Sequence, residues 1–422
     1  MGGMKQRVAH TAPDVGRYRW IVLGTATFTQ AAAGFFVQGI GSMGIQLQRE
    51  LGLSTAELGL LISAAQLVPL VGLLVAGELL DRYNERWVVG VGACVVAGGL
   101  GLGSLAPGYG WLLVVLVVVG AGYSTVQPGG SKSVASWFDS SQRGFAMGVR
   151  QAGLPLGAAL AAAVLPFLAE AHGRRAALLA GSLVALLGAV AFLVLYRRPP
   201  APDVRRPAAR EPLRAQLAAR LRTAREPSMV RIMCSGVSLI SVQYGVAVLT
   251  VVYLHDSASL GAGGAAAVLV AAQGAGVAGR ICLAALSDRV RQGRHAVVAG
   301  CMAAVVPGMA VLMTPAGRSP GVAVAALVWL GFFGFGWYGP WVALVTESAP
   351  PDRTGFALGL AMSANQVAIV VVPPLLGLLR DLTGSFTPAW ALLAVMTTAA
   401  LAITTRARSR GRGLPGASPA SP

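Results

Sequence analysis

The sequence predicts an all-α membrane protein, with twelve transmembrane helices arranged as two six-helix bundles. Three observations carry this prediction. Of the 422 residues, 55% are hydrophobic, only 12% are charged, and apolar runs of about 20 residues recur along the whole chain. The polar residues are too few to cover a water-exposed globule of this length. The composition therefore excludes an ordinary soluble enzyme, and it excludes a disordered or collagen-like chain as well.

Each predicted span is an apolar run long enough to cross about 30 Å of hydrocarbon with few charges inside it. In chain order the twelve runs are 19–41, 57–80, 87–106, 111–134, 144–169, 175–196, 229–254, 262–286, 295–314, 320–345, 355–379 and 386–405. The first 17 residues are polar and contain no apolar run. The sequence therefore predicts no cleavable signal peptide, and the first span is expected to stay in the chain.

The basic residues predict the orientation of the spans. Most of the 33 Lys and Arg residues fall in the segments that share a side with the two termini. Because Lys and Arg are retained on the cytoplasmic side, both termini are predicted to be cytoplasmic. Topology and attraction to anionic lipid then account for the net charge of +17. The lipid bilayer is the expected partner, and nucleic acid is the poorer explanation of the charge.

The spans divide into two halves around one long polar segment. The segment is basic and rich in proline, and it reads as a linker. Leu213, Leu217 and Leu221 recur within it at helical spacing among arginines, which suits an amphipathic helix on the lipid surface, although a disordered basic linker explains them equally well. The predicted organisation is a cytoplasmic N-terminus 1–18, a first bundle 19–196, the linker 197–228, a second bundle 229–405 and a cytoplasmic tail 406–422.

The two halves repeat each other at an offset of about 210 residues. GELLDRYNERW at 77–87 follows the second span, and AALSDRVRQGRH at 284–295 follows the eighth. RGFAMG at 143–148 opens the fifth span, and TGFALG at 354–359 opens the eleventh. Spans four and ten also share a Gly and Pro pair at the same spacing. Matches in the same order at a nearly constant offset indicate two structural repeats.

These motifs resemble the major facilitator superfamily, and the resemblance covers essentially the whole chain. It implies two six-helix bundles that rock about a central cavity. It also implies that Asp81 meets the start of span eleven and Asp288 the start of span five, where a helix dipole favours an anion. Asn84 and Ala284 stand where the motif usually has Gly. Without the repeated motif, these loop charges would be interpreted as ordinary solvated residues. The resemblance implies instead a set of gating candidates, which are Asp81, Arg82, Arg86, Asp288, Arg289, Arg143, Gly144 and Gly355.

Ionisable residues inside spans are costly and are therefore functional candidates. The acidic residues lie at span ends or in loops, as do His10, His172, His255 and His295, so the sequence places no central acid or His for a proton relay. Lys132, Arg150 and Arg280 fall inside spans, and their charge favours an anionic substrate. A guanidinium also holds a carboxylate through two parallel hydrogen bonds.

Arg280 is the foremost candidate for binding the substrate. It lies in GVAGRICLAALSDR at 276–289, which resembles the eighth span of monocarboxylate and oxalate-formate transporters, where an Arg at this place binds substrate carboxylate. The alternative is that Arg280 snorkels to the cytoplasmic mouth and pairs with Asp288, about 12 Å along the helix. The sequence alone does not favour substrate binding by Arg280 over this structural role. For Arg150 and Lys132 the snorkelling role is favoured, with substrate binding as the alternative.

Neutral polar residues in the spans would complete a cavity, because amides in hydrocarbon need partners and so face protein rather than lipid. The superfamily resemblance implies that spans one, four, seven and ten line the cavity. It therefore favours Gln30, Gln127, Tyr244 and Tyr338, although each fits an interhelical hydrogen bond as well. The predicted substrate-binding set is Arg280, Gln30, Gln127, Tyr244, Tyr338, Gln273, Asn365 and Gln366, with Gln38, Gln66 and Gln243 as further polar groups.

The sequence favours a secondary transporter of a small organic anion, which moves down its gradient or together with a proton. The alternative is efflux of hydrophobic drugs or metabolites, which the aromatic run WLGFFGFGWYGPW at 329–341 favours and the missing central acid opposes. The four cysteines have no metal-site spacing, and the spans hold no set of residues suited to intramembrane catalysis, so no cofactor, metal or enzymatic activity is predicted. Abundant Gly, Ala and Arg favour a high-GC bacterium and its inner membrane.

Overall fold

A computed structural model describes residues 15–53, 55–199, 222–290, 293–350 and 352–411. All regular structure within these residues is helical. Ten helical stretches within these residues are long and apolar enough to cross a membrane. One of the ten contains two spans, and a further span is built from two shorter helices in line. The predicted fold class, twelve spans in two bundles of six, is thereby confirmed.

The first half contains two interruptions that shape its spans. Pro69 lacks a backbone N–H to donate to Ala65, so span two is divided into two helices. Gly173 has φ 77° and ψ 170°, outside the helical region, and at this sharp turn the helix of span five ends and that of span six begins, so that α7 contains both. The helices are α1 Val15–Gly39, α2 Gly44–Leu51, α3 Thr55–Leu67, α4 Pro69–Arg82, α5 Glu85–Ser104, α6 Tyr109–Trp137 and α7 Ser140–Leu195.

The second half repeats this plan. Its helices are α8 Pro227–Ala258, α9 Ala262–Arg289, α10 Gly293–Leu312, α11 Pro320–Gly336, α12 Tyr338–Ser348, α13 Thr354–Thr383 and α14 Thr387–Gly411. Span ten is divided between α11 and α12, because the ring of Pro340 clashes with the carbonyl of Gly336 in a continuous helix. The sequence predicts unbroken spans two and ten, and the structure differs at these two points.

Some predictions fall on parts of the chain that the structure does not describe. The proposed amphipathic helix at Leu213, Leu217 and Leu221 and most of the linker lie in residues 200–221, outside the described residues. The first 14 residues and residues 412–422 lie outside them too. At the C-terminal end, α14 continues to Gly411, beyond the predicted boundary at 405.

The outer surface and the interface between the halves have different side chains. Large apolar side chains such as Phe167 and Leu382 are exposed, which suits contact with lipid. Between the halves, glycines replace them. A Cβ atom on Gly77 of α4 would collide with the carbonyl of Gly355 in α13, and one on Gly148 of α7 would collide with the carbonyl of Arg280 in α9. These close crossings bring the ends of the repeated motifs together.

Candidate substrate cavity and gate

A cavity lies between the two halves and is lined by both. Its empty volume is about 440 Å³, part of which is open to solvent. The lining is dominated by amides and phenols, with one cation. The lining residues are Gln38, Gln66, Tyr123, Gln127, Gln151 and Leu154 from the first half, and Ile240, Gln243, Tyr244, Arg280, Tyr338, Gln366 and Ile369 from the second.

Arg280 reaches this cavity from α9 and is only 3% exposed. Its Nε donates to the Phe335 carbonyl at 3.1 Å, and its Nη1 donates to the Gln151 carbonyl at 2.6 Å. The guanidinium also lies 5.8 Å from the centre of the Tyr338 ring, a cation–π distance. Within the described residues, Nη2 makes no hydrogen bond. The side chain is thus fixed on one edge and has a donor left for a ligand.

Arg280 does not pair with Asp288, which was the alternative reading of the sequence. The Asp288 carboxylate is engaged elsewhere, and in the described part of the chain no acidic side chain lies within 4.0 Å of the Arg280 guanidinium. The side chain also does not extend to the membrane–water interface, because it donates to carbonyls of α7 and α11 beside the cavity. A buried cation without a counter-charge is costly, and an anionic ligand would relieve that cost.

Arg150 is a second buried guanidinium, in α7, and its environment differs from the expected snorkelling. Its side chain is fully buried. Nη1 donates to Ser131 Oγ at 2.8 Å, and Nη2 donates to Gln30 Oε1 at 2.9 Å and to the carbonyls of Val126 and Gln127 at 3.0 and 2.7 Å. The acceptors of α1 and α6 replace water around the cation, so the side chain has no need to reach the interface.

Besides the bond from Arg280 to the Gln151 carbonyl, two amide hydrogen bonds join the halves at the cavity. Gln127 Nε2 donates to Tyr338 Oη at 2.8 Å, and Gln366 Nε2 donates to the Gln66 carbonyl at 2.9 Å. The Gln127 carbonyl also accepts from Arg150. Arg150 therefore holds the backbone of Gln127, the side chain of Gln127 binds Tyr338, and Tyr338 lies beside Arg280.

Two other lining amides have unsatisfied atoms. Gln151 is fully buried, yet neither its Oε1 nor its Nε2 has a hydrogen-bond partner among the described residues. The same holds for Gln243 Oε1. Leaving a buried polar group unsatisfied costs about 1–3 kcal/mol. The cavity wall thus offers donors and acceptors that the protein itself does not use.

Several predicted binding residues lie elsewhere. Gln30 is buried and binds Arg150, so it supports the wall without lining it. Asn365 is 2% exposed and faces α8, where a Cβ on Gly236 would come within 2.6 Å of its Oδ1. Gln273 is exposed and outside the lining. Gln273 shares the helix face of Arg280 but lies about two turns nearer the start of α9, outside the cavity lining.

Sequence reasoning misses two polar lining residues, Gln151 and Tyr123. Gln151 directly follows Arg150, and it satisfies the rule that an amide within a span faces protein or a cavity. Applying that rule to every amide would have found it. Tyr123 gives a weaker signal, because a tyrosine inside a span also packs as an ordinary aromatic residue.

At one end of the bundle, which we call the gate end, Asp81 and Asp288 join the two halves. Asp81 at the end of α4 accepts from the backbone N–H groups of Gly355 and Phe356, at 2.8 and 2.7 Å. Asp288 at the end of α9 accepts from those of Gly144 and Phe145, at 2.9 and 2.7 Å. Both carboxylates thus sit at helix N-termini, the contacts that the family resemblance implies.

Each gate carboxylate is backed by a different cation. Lys132 Nζ lies 2.7 Å from Asp81 Oδ1 and donates to the Leu80 carbonyl at 2.6 Å, so Lys132 belongs to the gate and not to the substrate cavity. Arg294 Nη1 lies 2.7 Å from Asp288 Oδ1, and its Nη2 lies 3.0 Å from Glu347 Oε1. Arg294 also donates to the Ser140 carbonyl of the first half.

The remaining gating candidates contribute unequally. Arg143 lies 3.6 Å from Glu347 of the other half. Arg82 pairs with Glu78 on its own helix at 2.7 Å, and Arg86 donates to the Leu193 carbonyl of its own half. Arg289 is exposed, and the described residues show no contact from it to the first half. Arg143 is therefore the arginine of the predicted set that crosses the interface by an ion pair.

The opposite end of the bundle, the far end, has ion pairs that stay within each half. Glu50 pairs with Arg174 at 2.8 Å in the first half, and Asp256 pairs with Arg380 at 3.1 Å in the second. The ion pair described between the halves, Arg143 with Glu347, therefore lies at the gate end. This distribution describes a conformation in which the gate end is closed.

Comparison with known proteins gives a consistent picture. The model of the Major Facilitator Superfamily matches residues 26–373. An uncharacterized MFS-type transporter of Mycobacterium tuberculosis (strain CDC 1551 / Oshkosh) is 28% identical over 385 residues, which are 91% of this chain and 84% of that one. The hexuronate transporter of Escherichia coli (strain K12) is 25% identical over 181 residues, 43% of this chain and 42% of that one. The crystal structure of the transporter FucP in its outward conformation has a TM-score of 0.76 at 16% identity, and the match covers 94% of this chain and 100% of FucP.

Proposed function

The chain belongs to the Major Facilitator Superfamily, and from that premise we propose that it moves a small organic anion, such as a carboxylate, across the membrane by alternating access. Membership of the superfamily makes it a membrane transporter and not an enzyme. What remains to be assigned is the kind of solute, and the charge of the cavity bears on that choice.

Arg280 is the single observation that carries the proposal. It lines the cavity and has one nitrogen without a hydrogen bond in the described structure, and no described carboxylate neutralises it. An anion entering the cavity would supply the missing counter-charge and at least one charge-assisted hydrogen bond. A lipophilic cation would instead add a second charge of the same sign. The cavity therefore favours an organic anion over the cationic drugs of an exporter.

The relatives agree with this choice without fixing the substrate. The hexuronate transporter of Escherichia coli acts on an organic anion by its name, but the match covers less than half of either chain. No acidic side chain lines the cavity among the described residues. A proton taken up with the anion would therefore travel on another group of the substrate or through an acidic group outside the lining, such as Asp288. The proposed location is a bacterial inner membrane with both termini in the cytoplasm, which the basic termini and the bacterial relative support.

The melting temperature of the detergent-purified protein tests the proposal, because a ligand that binds only the folded state stabilises it. One panel contains small carboxylates, and the other contains the lipophilic cations tetraphenylphosphonium and ethidium. We expect carboxylates to raise the Tm of the wild type and to lose this effect in Arg280→Ala. Uptake of the stabilising carboxylate into proteoliposomes then confirms transport.

Arg82→Ala is the matched control, because it removes an exposed arginine that pairs on its own helix. Stabilisation by carboxylates should persist in this variant. Stabilisation by the lipophilic cations alone, unchanged in Arg280→Ala, would overturn the proposal and favour efflux of hydrophobic compounds.

A further inference from the structure

We infer that the substrate carries several hydroxyl groups in addition to its carboxylate, as a sugar acid does. This inference rests on the proposed function, since it assumes that an organic anion occupies the cavity. It starts from a feature that charge alone does not explain. Six of the thirteen lining residues are glutamines and three are tyrosines, so hydrogen-bonding groups far outnumber the single cation.

The unsatisfied amides are the strongest indication. Gln151 has a donor and an acceptor without partners, and Gln243 has an acceptor without one, within the described residues. A hydroxyl group both donates and accepts, so adjacent hydroxyls on a substrate match the two ends of an amide. An aliphatic chain would bury the same amides without partners. The wall therefore discriminates in favour of a hydroxylated compound.

The position of Gln151 explains why hydroxyls and a carboxylate would belong to one molecule. The Gln151 carbonyl accepts from Arg280 Nη1, so the two residues that would hold these groups are in direct contact. Both residues line the same cavity, so one molecule that fills it could present a carboxylate to Arg280 and a hydroxyl to the Gln151 amide. Gln243 and Tyr244 on α8 offer further polar groups to the same compound.

Two of the other lining amides, those of Gln127 and Gln366, are already engaged. Gln127 binds Tyr338, and Gln366 binds Gln66, in both cases across the interface. These bonds join the halves in the conformation described. Gln151 and Gln243 are thus the residues whose hydrogen-bonding capacity a substrate would use without first separating the halves.

Four probes test the inference with the full-length protein in detergent. D-glucuronate has both features, D-gluconate has them in open-chain form, D-glucose has hydroxyls alone, and hexanoate has a carboxylate alone. We expect the two sugar acids to raise the Tm at concentrations about tenfold or more below those required for hexanoate or glucose. In Arg280→Ala, the effects of all three carboxylates should be lost.

Gln151→Met and Gln243→Met separate the hydroxyl contacts from the charge. Each should reduce the advantage of glucuronate over hexanoate to a few-fold while leaving the response to hexanoate in place. Gln151→Met should also raise the Tm of the empty protein, because it removes two unsatisfied buried atoms. Gln273→Met is the control, since that exposed glutamine lies outside the lining and should change neither quantity.

The possible results distinguish this inference from the proposed function. If hexanoate binds as well as glucuronate and both need Arg280, the inference is overturned while the proposed function stands. If glucose binds as well as glucuronate and ignores Arg280→Ala, the proposed function is overturned. If no carboxylate binds at all, both fail.

Discussion

Buried cations at the gate end are paired with carboxylates, whereas those in the centre of the protein donate to neutral acceptors. At the gate end, Lys132 lies against Asp81, and Arg294 lies against Asp288 and Glu347. In the centre, Arg150 and Arg280 are buried with no acidic partner among the described residues. These gate-end ion pairs lie within one half each, and the aspartates join the halves by accepting from backbone N–H groups at helix N-termini. Of the central cations, Arg150 donates to neutral acceptors, and the proposed function assigns an anionic ligand to Arg280.

The two central arginines differ in turn. Arg150 donates to four acceptors, one hydroxyl, one amide oxygen and two carbonyls. Arg280 donates to two carbonyls and faces the cavity. We infer that Arg150 positions the cavity wall, because it holds the backbone of Gln127. The proposed function places Arg280 against the substrate. Four substitutions test these assignments.

Arg280→Ala should have the largest effect, and the effect should be on binding. Removing one partner of a buried, hydrogen-bonded charge pair typically costs about 2–5 kcal/mol, which corresponds to a loss of roughly 30-fold or more in affinity. Equilibrium binding of the stabilising carboxylate to purified protein measures this loss. Arg280→Lys should recover only part of the affinity, because an ammonium does not form the two parallel bonds of a guanidinium. Full affinity in Arg280→Ala would contradict the contrast between cavity and gate.

Arg150→Met should have the next largest effect, and here the effect should be on stability. The substitution leaves Ser131, Gln30 and two α6 carbonyls without their donor, at a cost of about 2–4 kcal/mol. The Tm of the empty protein measures it. Arg280→Met is the matched variant and should lower the Tm less, because it leaves only two carbonyls without their donor. The reverse order would mean that Arg280, not Arg150, is the structural arginine.

The sequence predicted much of the fold and less of the site. Apolar runs and the repeated motifs were sufficient for the twelve spans, because the bilayer permits few architectures. The contacts of Asp81 and Asp288 followed from the repeat. The roles of Lys132 and Arg150 did not, because both depend on acceptors from other helices, Leu80 and Asp81 for one and Gln30 for the other. Such tertiary partners leave no periodic signal in the local sequence.

Asp81→Asn and Asp288→Asn compare the two gate contacts, and Asp81→Asn should open the gate more. Loss of the Asp81 charge leaves Lys132 nearly buried, with Glu85 at 3.8 Å, whereas Arg294 keeps Glu347 when Asp288 is neutral. We expect Asp81→Asn to shift the equilibrium toward the open gate by about 1–2 kcal/mol, a factor of about 5–30. Spin labels at exposed Tyr83 and Asp352, with the four native cysteines replaced, measure the distance between the halves. Equal opening in both variants would show that the backing cations are equivalent.

Lys132→Met should have the smallest effect. Asp81 would still accept from the N–H groups of Gly355 and Phe356, so the link between the halves would remain. Loss of the Lys132–Asp81 ion pair should reduce the free-energy difference between the closed and the open gate by about 1 kcal/mol or less. The same pair of spin labels should therefore show a small increase in the open population. Arg49→Met is the control, because Arg49 is exposed, lies next to Glu50 at the far end and should leave the distances unchanged. If Lys132→Met opened the gate as far as Asp81→Asn, the aspartate would act mainly by pairing with the lysine within its own half. The gate would then depend on charge pairing inside the first half, and the helix N-terminus of the second half would contribute little.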